Sequence, residues 1–194
     1  MYQSMAEILK PAKAGDYEIS LFEIKKGDFS AAMSGIPYGN YARLLHRGEC
    51  VMSDTPMEMR TNIDFVRSAF GDVLIGGLGI GLILLAIQNE KSVHTITVIE
   101  KSKEVIELVK PQLPLNGKVS IINDDVFNFA PSKGTKYDMI YMDIWDYVNS
   151  DVYENEMKPL KARYRRYLKP KSVSPNRKVF CWAEWQAKND RRLY

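Results

Sequence analysis

The feature that most constrains this chain is the glycine-rich turn in VLIGGLGIG, residues 73–81. A short apolar run leads into the glycines, and a second apolar segment follows them to residue 89. Glycine permits positive φ angles, lets the backbone approach a ligand and allows a helix to pack closely on a strand. The free N–H groups at a helix start also form an electropositive end. The pattern predicts a strand, a turn and a helix with a ligand at the turn; a tight turn without a ligand is the alternative.

The spacing of the glycines distinguishes between nucleotide ligands. The dinucleotide fingerprint G-x-G-x-x-G would need a glycine at position 82, where this chain has Leu82. Gly77, Gly79 and Gly81 instead form G-x-G-x-G, a spacing typical of S-adenosylmethionine sites. The turn therefore favours S-adenosylmethionine over NAD.

From residue 72 onward, apolar runs of strand length alternate with helical patterns. The predicted strands cover residues 73–75, 95–99, 119–122, 137–142 and 178–182, and the predicted helices cover 81–89, 102–109 and 150–168. This alternation indicates an α/β domain with a parallel sheet and right-handed crossovers.

The N-terminal part has a different pattern. Short strands are predicted at 17–24, 41–45 and 49–52, after a loose or helical lead-in over residues 1–15. We therefore expect a small β element over residues 1–55 and a ligand-binding α/β domain over residues 56–194. Pro56 begins a predicted helix to residue 69, with Met59, Ile63, Val66 and Phe70 on its apolar face.

Acids follow the second and third strands of the predicted parallel sheet. Glu100 can accept hydrogen bonds from both ribose hydroxyls; the alternative is an acid that favours the next helix through its dipole. Asp125 can accept from the adenine N6 amine while the N–H of Val126 reaches ring N1; Asp124 is the competing candidate, and either acid can instead cap the turn. Together with the glycine turn, they form three features at the sheet edge where ligands bind.

Four stretches carry a resemblance to a known family. They are VLIGGLGIG (73–81), ITVIEKSKEVIELVK (96–110), VSIINDDVFNF (119–129) and YDMIYMDIWD (137–146). Over residues 40–146 the chain resembles class I S-adenosylmethionine-dependent methyltransferases, and within them the spermidine synthase-like branch. The resemblance implies a Rossmann-like sheet in the order 3-2-1-4-5, here without the last strands.

The resemblance also implies site roles. Gly77, Gly79 and Gly81 would line the methionine and ribose side of the cofactor. Glu100, with the adjacent Lys101, would bind at the ribose, and Asp125 and Val126 would bind the adenine. Asp143 would accept a proton from an attacking amine, and Asp146 would help to hold that amine.

Two departures bear on the substrate. The proline that usually follows Asp-x-x-Asp is replaced by Tyr147, and the aminopropyltransferase glutamine and Tyr-His pair have no clear counterpart. We expect group transfer from S-adenosylmethionine, methyltransferase-like, to a small nucleophile. The alternatives are aminopropyl transfer from decarboxylated S-adenosylmethionine, or a protein that only binds or degrades the cofactor.

Other clusters allow two interpretations each. Asp143, Trp145 and Asp146 indicate either a cationic or amine substrate or a packed tryptophan between loop acids. Asp54, Glu58 and Arg60 could close over the methionine end of the cofactor or form a helix cap with its exposed face.

The segment 158–178 has nine basic residues and no acid, but the net charge of the chain is only +3. Such a run could meet phosphates, but it is more often a solvated helix face, and nucleic-acid binding is not predicted. His46 and His94 are predicted at the surface, and Cys50 and Cys181 show no metal-ligand spacing. With no signal peptide and no membrane-length apolar run, we expect a cytoplasmic protein; a homodimer is expected by analogy alone.

Overall fold

The computed structural model describes residues 2–28, 33 and 35–191. Within these residues the strands form two sheets, one antiparallel with four strands and one parallel with five. The N-terminal part contains helix α1 (Met5–Ile8) and strands β1 (Ala12–Ala14), β2 (Tyr17–Ile24), β3 (Gly39–His46) and β4 (Glu49–Ser53). These strands pair antiparallel in chain order. The β element predicted for this region is present, with an additional strand, β1, in the predicted lead-in.

The parallel sheet has the order β7-β6-β5-β8-β9, which is the predicted 3-2-1-4-5 arrangement. Its strands are β5 (Gly71–Gly76), β6 (Val93–Glu100), β7 (Val119–Asn123), β8 (Met139–Met142) and β9 (Lys178–Cys181). All four neighbouring pairs run parallel, so the carboxyl ends of the strands share one edge. The α/β, Rossmann-like fold class is confirmed.

Helices form three of the four connections between successive strands of the parallel sheet, whereas β7 and β8 are joined by turns. The helices are α2 (Pro56–Ser68), α3 (Leu82–Ile87), α4 (Lys103–Val109), α5 (Ser150–Val152), α6 (Lys158–Tyr164) and α7 (Glu184–Lys188). A π-helical segment, Tyr153–Met157, joins α5 to α6, and 3-10 turns follow α4 and α6 at Lys110–Gln112 and Arg165–Tyr167. The predicted helix over residues 150–168 is therefore continuous but changes its winding along its length.

Several predicted boundaries differ from the structure by one or two residues, and two of them concern the ends of β8 and β9. Strand β8 begins at Met139 rather than at Tyr137, because Tyr137 forms an isolated bridge with Leu168 instead. Strand β9 ends at Cys181, which leaves Trp182 beyond the sheet.

The hydrophobic core lies on both faces of the parallel sheet. One cluster contains Val73 and Ile75 of β5 together with Ile19 and Leu44 of the N-terminal strands. The other cluster contains Leu74 of β5 and the residues that α5 and α6 bury. Successive side chains of a strand point to opposite faces, so β5 contributes to both clusters. The N-terminal sheet therefore packs on one face of the α/β sheet and shares its core.

The buried face of α2 is not the predicted one. Glu58, Asn62 and Phe65 are buried, whereas the predicted residues Met59, Ile63, Val66 and Phe70 are half-buried. Phe65 stacks on Tyr141 of β8 with ring centroids 4.1 Å apart, and the Tyr141 hydroxyl donates to Asn62 Oδ1. The buried face of α2 is therefore shifted by one residue from the predicted face, because the buried face contacts polar groups as well as the apolar core.

A charged cluster ties the amino edge of the parallel sheet together. The Lys169 ammonium lies 2.7 Å from Asp72 Oδ2 and 2.6 Å from Asp138 Oδ2. Burial would raise the pKa of Asp138, but the bonds from Lys169 and from the Asp72 N–H outweigh it, and the pKa is lowered. Asp72 is the second residue of β5, and Asp138 immediately precedes β8, so the cluster lies at the end of the sheet opposite to the predicted ligand site.

In the described ranges, no helix combines the length and the apolar character needed to cross a membrane.

Candidate functional site

A cleft of about 770 Å³ opens at the carboxyl ends of the parallel strands. Small-molecule sites are typically about 300–1,000 Å³. The cleft brings together most of the residues predicted as a site, namely Gly77, Gly79, Glu100, Lys101, Asp125, Val126, Asp143 and Asp146. Their contacts with a ligand remain predictions, but their convergence on one cleft follows from the fold.

The glycine turn connects β5 to α3 at the floor of this cleft. Gly77 has a φ of +95°, and a Cβ there would lie 2.1 Å from the carbonyl oxygen of Asp143. Only glycine fits such a position, because neither the backbone angle nor the neighbouring backbone can adjust. Gly81 is placed differently from the prediction: it precedes α3, packs against Leu113 and does not line the cleft.

Most amides of the glycine turn already have protein acceptors. Four of the five N–H groups between residues 77 and 81 donate: Gly77 to Ile99 O, Leu78 to Glu100 Oε2, Ile80 to Met52 Sδ, and Gly81 to Leu78 O. The N–H of Gly79 has no acceptor among the described residues. The turn therefore has little remaining capacity to bind an anionic group.

Glu100 is held in the cleft by two backbone amides. Its Oε2 accepts from the Leu78 N–H and its Oε1 from the Ser102 N–H, both at 2.8 Å. Burial raises the pKa of Glu100, and these amide bonds oppose the rise. A carboxylate has about four acceptor positions, so about two remain for a ligand. These remaining acceptor positions fit the two hydroxyl donors of a ribose.

The turn after β7 separates the two candidate acids. Asp124 accepts the Asp125 N–H at 2.7 Å and so caps the turn. Asp125 accepts the Phe127 N–H at 2.9 Å and lies 2.9 Å from the Lys101 ammonium. Burial would raise the pKa of Asp125, but these two partners outweigh it and lower the pKa. The neighbouring N–H of Val126 has no acceptor in the described part of the chain and is free for a ring nitrogen.

Helix α6 fixes the same turn from behind. The Arg163 guanidinium donates to the carbonyl oxygens of Phe127, Asn128 and Phe129, and the Tyr164 hydroxyl donates to Val126 O at 2.7 Å. Four consecutive carbonyls are therefore bonded to one helix. This clamp could not be predicted, because its members are separated by more than thirty positions.

The far end of the cleft is acidic. Glu58 of α2 and Asp143, which follows β8, both line it, and neither carboxylate accepts a hydrogen bond from any described residue. Burial raises the pKa of Glu58 to about 7. Burial and the nearby Glu58 carboxylate raise the pKa of Asp143 well above its ordinary range. The predicted base is thus one member of a coupled pair of acids.

Two tryptophans border this acidic end. The Trp145 indole donates to Glu156 Oε2 at 2.8 Å, and the Trp182 indole donates to Thr61 Oγ1 at 3.0 Å. Both rings line the cleft and are held in place by these bonds. Asp146 lies exposed at the rim.

Several other predicted features are placed elsewhere. Asp54 does not close over the cleft: it is buried and accepts the N–H groups of Met5 at 2.8 Å and Ala42 at 2.7 Å. Arg60 is exposed. His46, which was predicted at the surface, is half-buried: its ring stacks on Tyr17 with centroids 4.5 Å apart and lines the cleft.

The basic segment 158–178 is largely engaged within the protein. Lys158 pairs with Glu154, Lys161 with Glu184, and Lys169 with the two aspartates at the amino edge. Arg163 and Arg177 donate to backbone carbonyls. These contacts support the interpretation of the run as a helix face that balances nearby acids and carbonyls.

No protein-family model matches the chain, and no curated protein sequence matches it. Solved structures do match. A complex of DhpI with SAH is 17% identical, with a TM-score of 0.47, over 63% of this chain and 55% of that one. The N-methyltransferase NodS from Bradyrhizobium japonicum WM9 is 17% identical, with a TM-score of 0.47, over 60% and 65% of the two chains.

The plantazolicin methyltransferase BpumL, in complex with SAH and a pentazolic desmethylPZN analogue, is 24% identical. Its TM-score is 0.42, over 60% of this chain and 45% of BpumL. The chain spans less than two thirds of the length of each of these three proteins. None of these matches supports the spermidine synthase-like branch.

Proposed function

We propose that this protein binds S-adenosylmethionine and transfers its methyl group to a small nucleophile. The observation that carries the proposal is the convergence of Gly77, Glu100 and Asp125 on one cleft, each at the carboxyl end of a different strand of the parallel sheet. Crevices at the carboxyl ends of such strands are the usual ligand sites of open α/β sheets. Glu100 would hold the ribose, and Asp125 with the Val126 N–H would hold the adenine.

A dinucleotide fits the site less well. The third glycine of its fingerprint would fall at Leu82, which is a buried residue of α3. In addition, the amides of the glycine turn that would face a pyrophosphate are mostly bonded within the protein. We therefore expect NAD to bind weakly or not at all.

In this reaction the main task of the protein is to position the reactants. S-adenosylmethionine supplies an activated methyl group, because its sulfonium sulfur is a built-in leaving group. The cleft would align the acceptor with that group, exclude water and remove a proton. Asp143 is the proposed proton acceptor, and Asp146 at the rim is the proposed anchor for a small acceptor such as an amine.

Isothermal titration calorimetry tests the cofactor. We expect S-adenosylmethionine and S-adenosylhomocysteine to bind, and NAD to bind weakly or not at all. Glu100→Gln should lower the affinity for both adenosyl ligands by about tenfold or more, since a charged hydrogen bond contributes about 1.5–3 kcal/mol. Glu107→Gln is the matched control, because Glu107 is an exposed acid whose ion-pair partner among the described residues is Lys103. Binding of NAD in place of the adenosyl ligands would overturn the proposal.

The charges at the far end of the cleft favour decarboxylated S-adenosylmethionine as a second candidate for the donor of the transferred group. Apart from masked positions, the basic residues that line the cleft are His46 and Lys101, on the side of Tyr17 and Asp125, whereas Glu58 and Asp143 line the other end. The methionine carboxylate would find few free amides and no cation there. Decarboxylated S-adenosylmethionine lacks that carboxylate, so aminopropyl transfer is the second candidate. Tighter binding of the decarboxylated form, followed by its consumption with an added diamine, would favour it over methyl transfer.

A binder without activity is distinguished by turnover. The protein would be incubated with each donor, first alone and then with small amines, and the products would be followed by mass spectrometry. Consumption of the donor without an acceptor would indicate cofactor degradation. Binding without any consumption would contradict group transfer.

A further inference from the structure

The far end of the cleft holds a polar group that the proposed group transfer does not use. Glu58 is nine-tenths buried, lines the cleft and accepts no hydrogen bond from any described residue. It is placed there by α2, whose next turn is fixed to β8 through Asn62 and the Tyr141 hydroxyl. Because the protein supplies no donor to this nearly buried acid, its hydrogen-bond partners must come from the cleft, which places it to meet a ligand group.

The groups around Glu58 add to this observation. Those that interact with it electrostatically are Tyr2, Cys50, Tyr141 and Asp143, which lie on four different segments of the chain. None of the four is a cation. The Tyr2 hydroxyl is itself buried without a hydrogen-bond partner in the described residues. Of these groups, Glu58 and Asp143 line the cleft, and neither carboxylate has a hydrogen-bond donor among the described residues.

We propose that Glu58 and Asp143 form a charge-sensing pair, which releases one proton when a positively charged ligand group enters this end of the cleft. The inference rests on the proposed function. In the free protein the buried Glu58 carboxyl and the half-buried Asp143 carboxyl disfavour each other's ionisation, so the pair retains a proton. A sulfonium or ammonium group beside them favours the fully ionised pair, and the proton leaves to solvent. The charged donor would thereby prepare the base, and the neutral sulfur of the product would not.

Calorimetry in two buffers with different ionisation enthalpies counts the protons that are released on binding. S-adenosylmethionine carries the sulfonium, S-adenosylhomocysteine carries only the ammonium, and methylthioadenosine carries neither, so the three ligands separate the two sources of charge. Release with S-adenosylmethionine alone identifies the sulfonium, and release with the first two identifies the ammonium. Equal release with all three ligands, or with none, would overturn the proposal.

The affinity of the releasing ligand should also depend on pH. Because the pKa of Glu58 is about 7, this affinity should rise about fivefold from pH 6 to pH 7, while that of methylthioadenosine stays constant. Glu58→Gln should remove both the proton release and the pH dependence. Asp64→Asn, an exposed acid on the same helix, should change neither. Persistence of the release in Glu58→Gln would contradict the assignment.

One further experiment distinguishes failure of the charge-sensing pair from failure of the proposed function. If none of the adenosyl ligands binds, the proposed function fails, and the pair is tested with trimethylsulfonium as the probe. Side-chain carbon NMR of the protein should then show a lower pKa for Glu58 in the presence of the probe. An unchanged pKa would overturn the charge-sensing pair.

Discussion

Replacing Glu58 by glutamine should stabilise the protein at alkaline pH. Glutamine is neutral and has the shape of the protonated acid. Burial raises the pKa of Glu58 from 4.5 to about 7, so the folded state holds its proton more tightly than the unfolded state. The wild-type protein therefore loses stability as pH rises from about 4.5 to about 7, and stays at the lower level above that. At about 1.4 kcal/mol per pKa unit, the loss is about 3 kcal/mol.

Urea unfolding, followed by tryptophan fluorescence, measures this difference. At pH 8 Glu58→Gln should exceed the wild-type free energy of unfolding by about 3 kcal/mol, and at pH 4 the two proteins should be equal. Asp64→Asn should stay within about 0.5 kcal/mol of wild type at both pH values, because Asp64 is exposed. The reasoning is refuted if the glutamine variant is less stable at pH 8, or if its advantage does not change with pH.

Three further substitutions test the packing that supports the cleft. Gly77→Ala should lower the free energy of unfolding by about 2–5 kcal/mol and abolish ligand binding. Gly134→Ala, at a similar φ of +88° but with open space around it, should lower it by only about 1–2 kcal/mol. If urea unfolding gives equal losses for the two variants, the clash of a Cβ at Gly77 with the backbone is excluded. Asp54→Ala should lower the free energy of unfolding by about 2–6 kcal/mol, because it leaves two buried backbone amides without acceptors. A thermal unfolding midpoint equal to that of wild type would contradict this structural role of Asp54. Lys169→Met should lower the free energy of unfolding by about 2–4 kcal/mol at pH 7, and by much less at a pH well below the ordinary aspartate pKa of 3.8, where protonated Asp138 no longer needs a cation. A penalty that is constant with pH would contradict this account.

The parallel sheet and its glycine turn were predictable because their signals are local. Apolar runs such as residues 73–75 and 95–99 mark strands, and the glycine spacing marks the turn between β5 and α3. Strand ends then give the positions of Glu100 and Asp125, since the carboxyl ends of parallel strands share one edge. The strand order came from the resemblance, and the structure confirms it.

The buried face of α2 was missed because the prediction followed only apolar residues. A helix that lines a cleft turns polar groups inward, and here Glu58 and Asn62 precede Phe65 at helical spacing. A polar pair at i and i+4 beside an aromatic residue at i+7 is a signal that could have identified this face.

Partners that are distant in the chain could not be predicted. Asp54 was interpreted as a cap or a closing acid, but its acceptors serve Met5, 49 positions earlier, and Ala42. Similarly, the basic run gave no indication that Arg163 would bind the turn after β7. Side chains with several possible partners are assigned by the tertiary fold, which the sequence pattern does not specify.

The bonding of carbonyls 126–129 to α6 has a consequence for the kinetics of recognition. A base that enters beside Val126 would meet a backbone whose conformational entropy has already been lost during folding. Association at this end should therefore proceed without a slow ordering step, and differences in affinity between adenosyl ligands should appear mainly in their dissociation rates.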